Sequence, residues 1–282
     1  MDAGSDTPRS AYRVLERRAA LTTVGLLLAL AGVAWWVTVE RASDMETMTD
    51  GLASVGTGMP FDMAAAVFLL MWTVMMVAMM FPTVAPIVLL HRMILRRRGQ
   101  GPALTTVFAS GYLAVWAALG VVPLAALIGF RDVATGSAWV ERTGGAVLLV
   151  AGAYQFTDWK DTCLRACRSP LTFLTTHDFG RGAFGALRTG ASHGLYCLGC
   201  CWALMAVLFA VGLMNLVWMS AISVVFLAEK NWRHGVGLTR IVGASLIAVG
   251  LAVLVDPGLL HTLGSVDSDP RVTTMMPAAR ST

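Results

Sequence analysis

Long apolar stretches separated by short charged segments run the length of this chain, and most approach the ~20 residues that a helix needs to cross a bilayer. About seven spans are predicted on that length. The first runs from Leu21 to Val39, the second from Met63 to Leu90, the third from Ala103 to Phe130 and the fourth from Gly144 to Trp159. The uncharged stretch between His193 and Glu229 is too long for one crossing and divides at Gly212 and Asn215, residues suited to a tight turn. Ile241 to Val255 is the last and shortest. The predicted fold class is all-α, a polytopic transmembrane helix bundle. It has a cytoplasmic segment at 1–18, a membrane domain at 19–256 and a polar, disordered tail at 257–282.

The first span follows Arg9, Arg13, Arg17 and Arg18, as the apolar part of a signal peptide would. Its apolar run is longer than such a segment and ends in Trp35, Trp36 and Glu40 without a small-residue cleavage site, so it reads as an anchor. Composition agrees with the pattern. The chain is 56% hydrophobic and 13% charged, against about 25% charged in ordinary soluble domains. Loop charges then set the orientation. Glu40, Asp44, Glu46, Asp50 and Asp62 face a single Arg41 between the first two spans, whereas Arg92, Arg96, Arg97 and Arg98 follow the second without an acid. Basic loops stay inside, which places the amino terminus inside, together with Lys160 to Arg188 and the loop holding Lys230, Arg233 and Arg240. The net charge of +4 is accounted for by loops that meet anionic headgroups of the lipid bilayer and gives no reason to invoke nucleic acid.

Sulfur is the candidate chemistry. The cysteines are Cys163, Cys167, Cys197, Cys200 and Cys201, and the second span carries Met75, Met76, Met79 and Met80 beside Met71. At the 1.5 Å rise of a helix, the methionines lie about 18 to 26 Å along a span entered from outside, and the three later cysteines about 9 to 15 Å along one entered from inside. The two sets then meet in the inner leaflet, where thiols stay reduced and available as ligands. Soft thiolate and thioether donors suit Cu(I), and zinc would need four of the five cysteines. Any one of these residues alone reads as packing, since methionine fills gaps and free cysteine is a small hydrophobe. The grouping is what points to a metal.

Pro82 and Pro86 follow the methionines and free backbone carbonyls there. Asp158 and Glu229 fall near inner span ends with Lys160 and Lys230 as solvated partners. His193 reads as a ligand or an interface residue, and His91 and His177 as loop residues. No phosphate loop, HExxH or GxSxG is present, so a non-enzymatic protein is favoured.

The stretches MWTVMMVAMMFPTVAPIVLL, YQFTDWKDTCLRACRSPLTFL, HGLYCLGCCWALM and GLMNLVWM followed by AEK are similar to a bacterial family of unknown function, described as predicted metal-binding integral membrane proteins. The similarity covers residues 60 to 235 or so. It implies a multi-pass protein of the bacterial cytoplasmic (inner) membrane that binds metal through the five cysteines and the four methionines. The expected function is handling of a soft metal, with copper favoured and zinc as the second candidate, for transport, storage or delivery to a membrane enzyme or metallochaperone. The alternative is a membrane oxidoreductase, or its accessory subunit, using the cysteines as a thiol redox or metal centre. Cys197-x2-Cys200 has the spacing of a redox pair but lacks a strand-and-helix context.

Overall fold

The computed structural model describes residues 7–53, 61–129, 138–176, 182–213 and 215–264. Every element among them is a helix: α1 (Thr7–Ala53), α2 (Phe61–Arg97), α3 (Ala103–Leu119), α4 (Val121–Gly129), α5 (Ala138–Tyr154), α6 (Asp158–Arg168), α7 (Pro170–Thr176), α8 (Gly182–Val211), α9 (Leu216–Asn231), α10 (Gly235–Val255) and α11 (Gly258–Gly264). Five of the helical stretches are long and apolar enough to cross a membrane: Arg17–Arg41 within α1, α2, the run from Ala103 to Gly129, α8 and α10. The expected fourth and sixth spans are helices too, but α5 has 17 residues and α9 has 16, short of the ~20 that cross a bilayer.

Several boundaries differ from those expected, two of them for a visible local reason. The acidic segment after the first span is not a loop at its start, because α1 continues to Ala53. The third span breaks after Leu119 into α3 and α4, and Pro123, having no N–H, cannot bond the Leu119 carbonyl four residues back. The fourth ends at Tyr154, and Trp159 belongs to α6, which a Thr157 side chain caps by accepting from the Lys160 N–H. α8 starts well before His193, and Arg240 lies in α10 rather than a loop. Pro82 and Pro86 sit inside one assigned helix, α2. The turn at Gly212 and Asn215 is as expected: Gly212 takes φ +109°, which favours glycine, and the Asn215 side chain caps α9 by accepting from the Trp218 N–H. Residues 258–264, assigned to the tail, form α11 with Leu260 buried. His177, Met214 and the chain beyond Gly264 lie outside the described residues.

α2 and α8 are the central helices. Half of the apolar window of α2 and 56% of that of α8 are buried, against 17% in α1 and 22% in α10. In α1, Leu27, Ala31, Ala34 and Thr38 make a narrow buried stripe, while Leu26, Leu28, Val33, Trp36 and Val39 are exposed. An apolar surface left open in this way is what a lipid-facing helix presents.

Small residues set the closest seams. On α8, a Cβ at Gly190 would lie 1.9 Å from the Phe108 carbonyl oxygen of α3, and on α3 a Cβ at Gly111 would lie 2.3 Å from the Leu187 oxygen of α8. The neighbours Phe108–Gly190 and Tyr112–Gly194 run in the same chain direction, so α3 and α8 are parallel. Gly145 faces Gly250 and Gly152 faces Gly243, so α5 and α10 are antiparallel. Both senses are those of a chain that crosses back and forth. Backbone contact of this kind is how helices associate where apolar surface gives no driving force.

Gly190→Ala should force α3 from α8 against a backbone atom that cannot yield, lowering stability by about 1–3 kcal/mol. Gly25→Ala, with nothing within 4 Å of the new Cβ, should not. Thermal unfolding in detergent measures both, and equal midpoints for the two variants would disprove the seam.

Candidate metal centre

The thiols are carried by a long central helix and a short one laid against it. On α8, Cys197, Cys200 and Cys201 are all buried. α6 has Asp158 and Asp161 in its first turn and Arg165 and Arg168 in its last, charges that match the helix dipole. It buries Lys160 and Leu164 and keeps Cys163 and Cys167 half-buried. Gly199 of α8 makes room for α6, since a Cβ there would lie 2.5 Å from Cys163 Sγ.

Two basic residues clamp α6 to the end of α9. Lys160 Nζ donates to Glu229 Oε2 at 2.8 Å, with both side chains only 1% exposed. Arg168 donates to the main-chain carbonyl of Glu229 and, at 3.4 Å, to that of Arg233. Carbonyls in the last turn of a helix have no partner within it, so an arginine there closes α9 as well as holding α6. Gly235 leaves the space: a Cβ would lie 2.2 Å from the Arg168 guanidinium.

The clamp sets Cys167 over α8. Its Sγ is 3.8 Å from Cys200 Sγ, and the sulfurs of Cys167, Cys197 and Cys200 all lie within 4.8 Å of one another. A metal bound at about 2.3 Å to each of three thiolates would hold them about 4 Å apart, so small adjustments would close the group on an ion. Cys201 Sγ is 3.4 Å from Cys200 Sγ but outside that mutual group, and Cys163 packs against Gly199. The group offers three sulfur ligands, which would suit Cu(I) better than zinc with its four-ligand tetrahedron. Both α6 thiols are pushed above the usual thiol range, Cys167 first by its hydrogen bond to Cys197 and Cys163 by burial.

Around Cys197 stand three residues that the sequence reading did not assign to the site. Lys230 Nζ donates to Cys197 Sγ at 3.0 Å and to Thr83 Oγ1 at 3.3 Å. The Tyr112 hydroxyl lies 3.1 Å from the same sulfur. The expected pairing of solvated lysines with acids at span ends is thus corrected: Lys160 and Glu229 pair with each other in the interior, and Lys230 turns to a thiol. Adjacent side chains on a helix point about 100° apart, which sends Glu229 to α6 and Lys230 to α8. The signal available in sequence was a lysine directly after the apolar run that ends at Ala228.

Of the other sulfur donors, Met75, Met76, Met79 and Met80 are all buried within the core. Thr83 follows on the face of Met76, Met79 and Met80, so that face of α2 reaches the site through the Thr83 hydroxyl. His193 is buried between the rings of Tyr112 and Phe173, with centroids 6.0 and 5.1 Å away. His91, expected in a loop, lies in α2 stacked on Phe108 at 4.5 Å.

A three-thiol group, two of its sulfurs buried and one half-buried, inside a bundle of long apolar helices defines a helical protein suited to a soft metal ion. The chain belongs to the PpoB2 copper chaperone family, whose model matches residues 69–253. No curated protein and no solved structure matches it. The metal half of the expected resemblance is thereby met and narrowed to copper. The family description does not mention a membrane, and that half rests on the five apolar helical stretches.

Lys160→Met should leave a buried carboxylate without its cation and cost about 3–5 kcal/mol, while combining it with Glu229→Met should restore much of the loss. Denaturant unfolding of the three variants in detergent decides the matter. A double variant no more stable than Lys160→Met alone would mean that the ion pair is not what holds α6.

Proposed function

We propose that this protein is a membrane-embedded Cu(I) chaperone that holds the ion between Cys167, Cys197 and Cys200 and delivers it to a membrane enzyme or to another metallochaperone. The observation that carries this reading is the mutual approach of the three sulfurs to within 4.8 Å, in a chain of the copper chaperone family. Three thiolates and Cu(I) leave a net negative charge, and the buried Lys230 ammonium beside Cys197 offsets part of it. Half-buried Cys167 on the short α6 is the most exposed of the three sulfurs. Cys163 and Cys201 stand next to the group as further thiolates, and Met75, Met76, Met79 and Met80 as thioether donors for an ion moving deeper.

In this reading the bundle is a multi-pass protein of the bacterial cytoplasmic membrane with its amino terminus inside. The thiol group then lies in the inner leaflet, where a reducing cytoplasm keeps it free of disulfides. The 3.8 Å contact of Cys167 with Cys200 also supports the alternative of a thiol redox centre in a membrane oxidoreductase or its accessory subunit.

Full-length protein purified in detergent under reducing conditions should take up Cu(I) with thiolate-only coordination. Cys167→Ser and Cys200→Ser should each weaken binding by at least about tenfold in competition with a Cu(I) chelator. Retention of wild-type affinity when all three cysteines are serine would rule out the site. Thiol–disulfide turnover by metal-free protein, lost with Cys200→Ser, would favour the redox alternative.

A further inference from the structure

His193 and Cys197 are four residues apart on α8, a spacing that stacks side chains one turn apart with about 5–6 Å between their Cβ atoms. Both are buried, His193 to 2% exposure, and both meet the same residue of α3. The Tyr112 hydroxyl is 3.1 Å from Cys197 Sγ, and the Tyr112 ring centroid is 6.0 Å from that of His193. Among the described residues His193 Nδ1 has no hydrogen-bond partner. Leaving a buried polar atom unpaired costs about 1–3 kcal/mol, and such atoms in native proteins call for a reason. A neutral imidazole protonated at Nε2 presents a lone pair at Nδ1, and imidazole nitrogen is a copper ligand.

We propose that His193 Nδ1 and Cys197 Sγ form a second, two-coordinate Cu(I) position, which shares Cys197 with the three-thiol group and through which the ion enters or leaves that group. The proposal rests on the copper reading above. A bond of about 2 Å to nitrogen and one of about 2.3 Å to sulfur suit the separation of side chains one turn apart. In the exchange Cys197 Sγ stays bound throughout. The bond from the metal to His193 Nδ1 forms as the bonds to Cys167 and Cys200 break, and those two thiolates take up protons from solvent. No electron moves, and copper remains Cu(I). An ion handed over in this way is never released bare, and Tyr112 positions both ligands by touching each.

The test uses the full chain in detergent under reducing conditions, loaded with one and then two equivalents of Cu(I). X-ray absorption reports imidazole scattering, and stopped-flow transfer to a water-soluble Cu(I) chelator reports exchange. Wild type should show thiolate-only coordination with the first equivalent and imidazole with the second. His193→Phe, which fills the same space between Phe173 and Tyr112, and His193→Asn, which keeps a polar group there, should both preserve the first equivalent, lose the imidazole signal and slow transfer by about tenfold. The proposal is overturned if either folded variant keeps imidazole scattering or wild-type transfer, or if wild type shows no imidazole at two equivalents. A wild-type chain that binds no thiolate-held first equivalent would instead overturn the copper reading, and this inference with it.

Discussion

Lys230 holds its ammonium 3.0 Å from a cysteine sulfur inside an apolar bundle, and the arrangement of the site follows from that placement. A charge taken out of water has to be paired, because the interior offers nothing else to solvate it. The nearest carboxylate in sequence, Glu229, is engaged by Lys160 from α6. Lys230 is therefore left with Cys197, the Thr83 hydroxyl and the face of the Phe226 ring 5.6 Å away. Two buried lysines thus tie four helices together: α6 to α9 through the carboxylate, and α9 to α8 and α2 through the thiol and the hydroxyl.

The clamp would have no function if the helices did not approach closely. Gly190 against Phe108 brings α3 near enough for the Tyr112 hydroxyl to reach Cys197, and Gly199 lets α6 lie close enough for Cys167 to meet Cys200. Thiols on a rigid central helix and on a short, half-exposed one make a site that is both preformed and reachable. On the proposed reading, that combination is what a carrier of a soft ion requires, since the ion has to be held by strong ligands and still be surrendered to another protein. The chain belongs to a copper chaperone family, and three sulfurs in mutual approach are donors of the kind that copper accepts.

Much of this was legible in the chain itself. Apolar runs of sufficient length specified the long helices, because a helix satisfies its own backbone and needs no partner to be predicted. Gly212 and Asn215 announced the turn between α8 and α9, because positive φ and helix capping are local demands met by few residue types. The cysteine spacings pointed to soft-metal chemistry, because residues three or four apart share a helix face whatever surrounds them. The break at Gly120 and Pro123 was written there too, although length alone concealed it.

Which sulfurs meet was decided only by the tertiary structure. Cys167 joins Cys197 and Cys200 while Cys163, one turn away on the same helix, packs against Gly199; that choice depends on the rotation of α6, which the Lys160 and Arg168 contacts to α9 set from 69 and 61 residues away. Lys230 reads as a solvated residue in sequence and becomes the counter-charge of a thiol only once α8, α9 and α2 are packed. The chain by itself determined that helices form and what chemistry they carry, since both depend on neighbours in sequence. The pairing of buried charges and thiols depends on how those helices are rotated and brought together, and only the packed bundle supplies that.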